Sequence, residues 1–183
     1  DLKFKMTRSN KNFVGLFGGS FDPPHDGHLK ISKICIKKLN LQSLYWIVAK
    51  KNPFKKNSFF SLKERIEKCK KMTKKIKKIH IKNFEKLVKS TRTIDTLKFL
   101  IKNKKNVKFF LIIGSDNLVN FHRWKSWKKI AIITQLVVFP RKNYEKKARK
   151  SVAVNQLGID KILFIKNKKI NISSSQIRKN YLV

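Results

Sequence analysis

The sequence predicts an α/β domain built on a doubly wound parallel sheet, with helices on both faces. Three observations predict it. Six short apolar runs punctuate the 183 residues. Longer stretches with helical period separate them. A glycine-rich turn joins the first run to the first helical stretch. The runs are Phe13 to Phe17, Leu44 to Ala49, Ile79 to Ile81, Val107 to Ile113, Leu136 to Phe139 and Ile162 to Ile165. They are rich in β-branched and aromatic residues and bounded by polar ones, which is how buried parallel strands read. Between them, residues 27–39 place Ile31, Ile34, Cys35 and Leu39 roughly on one face. Ser61 and Glu64 have capping-box spacing ahead of Ile66, Cys69 and Met72. Thr93 to Ile101 carries Ile94, Leu97, Leu100 and Ile101, and a last helix is expected near Ser174 with Ile177. Strand and helix in alternation imply a parallel sheet with both faces covered. Such sheets bind ligands beyond the carboxyl ends of their strands. The sites to inspect therefore follow Phe17, Ala49, Ile81, Ile113, Phe139 and Ile165.

Composition narrows the class. At 41% hydrophobic the chain can bury a core. It contains no run of about 18 apolar residues, the length needed to span a membrane. Two cysteines, Cys35 and Cys69, are too few for a disulfide scaffold or a Cys-rich zinc module. The opening DLKFKMTRSN lacks the apolar core of a signal peptide. The expectation is one cytoplasmic domain over residues 1–183, with 1–11 as a flexible lead-in.

Charge is the most unusual property. Lys and Arg number 46 against 10 Asp and Glu, a net +36. A basic surface is the usual footprint of a nucleic-acid binder. Here 39 of the basic residues are Lys and only 7 Arg, while Asn numbers 15, Ile 21 and Ala 4. Lys, Asn and Ile share AT-rich codons, so coding bias accounts for the excess. The lysines also spread from Lys3 to Lys179 instead of forming a tail. They read as solvated faces, with a polyanion-binding surface as the alternative. No specific nucleic acid is expected as a partner. A positive field still helps to collect small phosphorylated molecules.

The segment Leu16-Phe-Gly-Gly-Ser-Phe-Asp-Pro-Pro-His-Asp-Gly-His-Leu29 carries the clearest chemistry. A strand ends, two glycines follow, and a helix starts near Gly27. Gly18 and Gly19 allow close approach of a ligand to backbone N–H groups. The helix N-terminus adds partial positive charge where a phosphate can sit. His25 and His28, two of only four histidines, are three apart and can both face that turn. Imidazole N–H groups so placed can stabilise charge that builds in a transition state. Two histidines alone are weak evidence for a metal, and no residue is assigned to one. The G-x-x-x-x-G-K pattern of a P-loop is absent. Near the carboxyl end, Ser173, Ser174 and Ser175 precede a helix with Arg178 one turn on, a grouping of hydroxyls and guanidinium that suits phosphates, though an ordinary serine cap reads the same way. Gly114 and Asp116 follow the longest apolar run; Asp116 can accept from ribose hydroxyls or cap the next helix. Trp124 and Trp127, three apart, would share one face of a helix, where core packing is the common explanation.

The turn resembles that of the His-x-Gly-His nucleotidyltransferases, and Gly-Gly-Ser-Phe-Asp-Pro-Pro-His-x-Gly-His is similar to the bacterial nicotinate-nucleotide adenylyltransferase form. The resemblance continues in order through Asn52-Pro-Phe-Lys55, Thr91-Arg-Thr-Ile-Asp-Thr96, Ile112-Ile-Gly-Ser-Asp-Asn-Leu118 with Trp124 and Trp127, and Ile172-Ser-Ser-Ser-Gln-Ile-Arg178. It implies a Rossmann-like fold and the joining of ATP to nicotinate mononucleotide, releasing pyrophosphate, in NAD biosynthesis. The partners implied are thus ATP and a pyridine mononucleotide. Sister enzymes acting on nicotinamide mononucleotide or phosphopantetheine, and a basic nucleic-acid-binding protein on this fold, are the alternatives.

The resemblance also implies roles. His25 and His28 contact the α- and β-phosphates, while Lys55 and Arg178 steady the departing pyrophosphate. Gly18, Gly19, Ser20, Phe21, Gly114, Asp116, Ser173, Ser174 and Ser175 hold ATP. Thr93, Trp124, Arg92 and Arg141 hold the acceptor, with Trp124 stacked on the nicotinate ring and Trp127 in the core. Mg²⁺ arrives on the ATP phosphates. The chain departs from the family in four places. Ser20 and Ser175 stand for the usual threonines, Arg92 stands where an aromatic is usual, and Lys142-Asn143 replaces Pro-Gly after Arg141.

Overall fold

The computed structural model describes residues 12–50 and 58–166. All six apolar runs are strands: β1 (Asn12–Gly19), β2 (Ser43–Val48), β3 (Ile79–Lys82), β4 (Val107–Gly114), β5 (Gln135–Phe139) and β6 (Ile162–Phe164). The helices are α1 (Asp26–Lys38), α2 (Leu62–Thr73), α3 (Glu85–Val88), α4 (Thr93–Asn103), α5 (Ser115–Val119), α6 (Trp127–Ile133), α7 (Glu145–Arg149) and α8 (Val152–Leu157). Short 3₁₀ turns occupy Phe121–Arg123 and Ile159–Lys161. Among the described residues no helix is long and apolar enough to cross a membrane.

The strands form one sheet in the order β3-β2-β1-β4-β5-β6, every neighbouring pair parallel. This is the strand order of a Rossmann fold. The chain winds outward from β1 to β3, returns, and lays β4 against the other side of β1. At that reversal the connections leave in opposite directions, and a crevice opens past the ends of β1 and β4.

Strand alternation sends side chains to two cores. From β4, Phe109, Leu111 and Ile113 join Ile94, Leu97 and Leu100 of α4 and Ile130 of α6. Phe110 and Ile112 point the other way, to Ile31 and Cys35 of α1, Cys69 of α2 and Trp46 of β2. Burial on both faces explains why these strands read as unbroken apolar runs rather than alternating ones. Burial also pushes the thiols of Cys35 and Cys69 up to about 12.

The capping box opens α2: Ser61 Oγ accepts from the Glu64 N–H at 3.3 Å, and the Glu64 carboxylate accepts from the Ser61 N–H at 2.8 Å. One expectation fails. Trp124 and Trp127 do not share a helix face. Trp124 is extended (φ −72°, ψ 139°) after a 3₁₀ turn, Ser126 is left-handed (φ 56°), and α6 begins only at Trp127. A residue at positive φ breaks the helical path between them. Helices α5 to α8 span five to seven residues, too short for a periodic signal.

Candidate active site

The crevice is built from the ends of three adjacent strands. β1 ends in Gly18 and Gly19, β4 in Gly114, and β5 is followed by Arg141. Neither Gly18 nor Gly19 has positive φ, so the glycines serve space, not backbone conformation. A Cβ on Gly18 would meet nothing within 4 Å, so the strand end faces open room. A Cβ on Gly114 would collide with the Asp116 carboxylate and sit 3.3 Å from Arg141 Cγ.

After Gly19 the chain turns through Ser20 and Phe21 to the start of α1. Phe21 supplies the positive φ, at 46°. Its ring is 1% exposed and stacks on Trp46 with centroids 4.8 Å apart. The side chain therefore belongs to the core, and only its backbone is available to a nucleotide. Trp46 Nε1–H donates to Ser32 Oγ at 2.8 Å, and the Ser32 hydroxyl donates to the His28 carbonyl at 2.8 Å. The first turn of α1 is thus anchored to β2.

His25 is the N-cap of α1 and His28 stands three residues in. Both are buried, with ring centroids 3.8 Å apart. The His25 backbone N–H donates to His28 Nδ1 at 3.1 Å. That bond makes Nδ1 an acceptor, so the neutral ring carries its proton on Nε2. Burial lowers the His25 pKa to about 4, helped by the Arg141 cation and opposed by Asp26. Burial, His25 and Arg141 hold His28 well below the ordinary histidine range. Both rings are neutral at pH 7. His25 Nδ1 is buried without a hydrogen-bond partner.

Arg141 comes to the same point from β5. Its N–H donates to Ser115 Oγ at 2.8 Å, its guanidinium covers the Phe139 ring at 5.1 Å, and Nε lies 4.0 Å from Asp116 Oδ1. Gly18, Gly19, Ser20, His25, His28, Gly114, Asp116 and Arg141 therefore occupy one crevice. Thr93 and Arg92 lie elsewhere, at the start of α4. Arg92 is the exposed N-cap and lines a cavity of about 1050 Å³ with Lys50, Asn83, Glu85 and Ser90. Its N–H donates to Ser90 Oγ at 3.1 Å, and the Ser90 hydroxyl donates to the Asp95 carboxylate at 2.8 Å. Trp124 and Trp127 both pack on Phe121, with centroids 5.2 and 6.0 Å away, and both are half-buried. Lys55, Ser173, Ser174, Ser175 and Arg178 lie outside the described residues.

Two residues of this region carried no role in the sequence reading. Asp22 and Arg65 are 3% and 1% exposed and tie the turn to α2 from behind. The signal for Arg65 was available, since arginine is scarce in a chain that otherwise uses lysine.

Residues 16–180 match the cytidylyltransferase-like family. A protein of Pelagibacter ubique named a probable nicotinate-nucleotide adenylyltransferase is 46% identical over 169 residues, covering 92% of this chain and 93% of that one. The chain belongs to the nicotinate-nucleotide adenylyltransferase family. A second member, from Rhizobium meliloti, is 39% identical over 129 residues, 70% of this chain and 68% of its own. The fold is shared with the Plasmodium falciparum nicotinic acid mononucleotide adenylyltransferase solved in complex with NaAD: TM-score 0.72 at 24% identity, covering 92% of this chain and 83% of that one. The nicotinate-nucleotide adenylyltransferase motifs that lie in described residues fall at strand ends or helix starts of the sheet.

Proposed function

We infer that this chain joins ATP and nicotinate mononucleotide to give nicotinate adenine dinucleotide and pyrophosphate. The observation that carries the reading is the paired-histidine turn at the reversal of the sheet, where His25 and His28 are buried with ring centroids 3.8 Å apart at the start of α1. The 46% identity to a relative of that name over 92% of the chain supports the same substrates.

The mononucleotide 5′-phosphate attacks the α-phosphorus of ATP, and pyrophosphate leaves opposite. The nucleophile is already an anion, so no side chain has to remove a proton from it. The protein contributes position and charge stabilisation. His28 Nε2–H is a donor of fixed tautomer, held by its bond from the His25 N–H. Triphosphate drawn against the two rings raises both pKa values, because a nearby anion favours imidazolium. Arg141 and the open end of α1 add positive potential. Asp116 serves the ribose of the nucleotide, with Gly114 leaving room for that carboxylate. Lys55, Ser174 and Arg178 steady the pyrophosphate, and Thr93, Arg92 and Trp124 hold the pyridine nucleotide.

Among the described residues no three His, Cys, Asp or Glu side chains group as a metal site. Asp116 faces Arg141, and the two imidazoles face each other. That donor set fits a Mg²⁺ held by the ATP phosphates and water. Carried in this way, the ion offsets phosphate charge.

The test is incubation with ATP, Mg²⁺ and nicotinate mononucleotide, with products identified by mass. Nicotinate adenine dinucleotide and pyrophosphate should appear in equal amounts. Pyrophosphate with phosphopantetheine but not with either pyridine mononucleotide would move the chain to the sister activity.

A further inference from the structure

We infer that Arg65 and Asp22 are positioning residues for the phosphate-binding turn, acting through its backbone without touching the nucleotide. The inference rests on the reading of that turn as the phosphate site.

Arg65 lies in the first turn of α2 and is fully buried. Its guanidinium donates to four carbonyls on three separate segments. Nη1–H reaches Ser20 O at 2.6 Å and Ala49 O at 2.7 Å, Nη2–H reaches Lys50 O at 2.8 Å, and Nε–H reaches Phe60 O at 3.2 Å. Ser20 is in the turn, Ala49 and Lys50 follow β2, and Phe60 precedes α2. All four acceptors sit at the carboxyl edge of the sheet, where the crevice opens.

Asp22 closes the circuit from the other side. Its carboxylate accepts from the N–H groups of Phe59 and Phe60, each at 2.8 Å. Phe60 is thereby gripped at both ends, its N–H by Asp22 and its carbonyl by Arg65. Ser20 and Asp22 flank Phe21, the residue held at φ 46°. Left-handed backbone is disfavoured for a bulky residue and persists only where surroundings enforce it. The restraint comes from Arg65 on one side of Phe21, Asp22 on the other, and Trp46 beneath its ring.

The consequence for phosphate follows from peptide planarity. Carbonyl and N–H of one trans peptide point in opposite directions. Drawing the Ser20 carbonyl back onto Arg65 turns the Phe21 N–H away from Arg65. It also removes the carbonyl lone pairs from any anion on the other side. A lysine keeps the charge but not the fork, and cannot satisfy four carbonyls on three segments.

The experiment measures binding of α,β-methylene-ATP by calorimetry to wild type, Arg65→Lys, Asp22→Asn and Ile162→Ala. All four are held at a temperature where thermal scans show them folded. Ile162 is buried at the start of β6, at the sheet end opposite the crevice, and supplies a destabilised control. Arg65→Lys and Asp22→Asn should each weaken the analogue by about ten- to a hundredfold, the usual range for displaced supporting groups. Ile162→Ala should match wild type. Asp22→Asn carries the test should Arg65→Lys fail to fold. Wild-type affinity in a folded Arg65→Lys or Asp22→Asn, or an equal loss in Ile162→Ala, overturns the inference. Wild-type protein that does not bind the analogue overturns it together with the phosphate site. Dinucleotide formation is scored separately: wild type that binds the analogue but makes no dinucleotide refutes the reaction, while the variant affinities still decide the positioning role.

Discussion

In the proposed reaction His28 is the residue on which turnover depends most. The bond at Nδ1 leaves its ring proton on Nε2, at a buried helix start. Removing one such donor costs about a hundred- to a thousandfold in rate. His28→Ala should therefore lose that much kcat at saturating ATP while its thermal unfolding stays cooperative; retention of half the wild-type rate would contradict the role. His25 makes a separate prediction about acid. Its pKa is about 4 folded against 6.5 as the ordinary value. Between those values the unfolded chain binds the proton and the native site resists it. The His25 contribution to stability is thus complete above pH 6.5 and is lost as pH falls towards 4, by roughly 2–3 kcal/mol. His28, shifted the same way, adds to the loss. Thermal midpoints across that window should fall less steeply in His25→Gln than in wild type. Gly114 is constrained by its neighbours rather than by φ. Gly114→Ala must displace Asp116, so KM for ATP should rise about tenfold or more with little change in midpoint.

At the scale of elements, α2 matters because it carries Arg65. Its capping box holds the first turn, and Ser61→Ala should cost about 1 kcal/mol, measured by chemical denaturation. The elements themselves were legible where burial was two-sided or a cap was explicit. The six strands announced themselves because both faces of the sheet are covered, and Ser61 with Glu64 marked a helix start. The turn was legible as well, since its two histidines and two glycines have few structural reasons to cluster. Other features were not. The left-handed Ser126 between Trp124 and Trp127 leaves no sequence signal, because serine does not demand that conformation. Asp22 and Arg65 act on backbone atoms of segments distant in sequence, and no local spacing encodes that. Only the choice of arginine in a lysine-rich chain hinted at it, since a fork is needed where a point charge does not suffice.

For the whole molecule, the net +36 sets behaviour towards polyanions. Duplex DNA should bind without sequence preference and fade steeply with salt, near the 10⁻⁴ to 10⁻⁶ M of non-specific complexes at physiological ionic strength. Nanomolar, sequence-selective binding there would mean that the lysines form a dedicated surface. In the proposed reaction the field helps to gather two phosphorylated substrates near Arg141 and the start of α1. What the molecule must then decide is the acceptor. Nicotinate and nicotinamide mononucleotides differ by a carboxylate against an amide. In the proposed reaction the N–H groups opening α4 suit an acceptor-only group, and an amide mismatched there loses on the order of 1–3 kcal/mol. The most direct measurement is kcat/KM for dinucleotide formation from ATP with each mononucleotide, using one enzyme preparation. The account predicts roughly ten- to a hundredfold preference for the nicotinate form. No dinucleotide from either, or a preference for the amide, would contradict it.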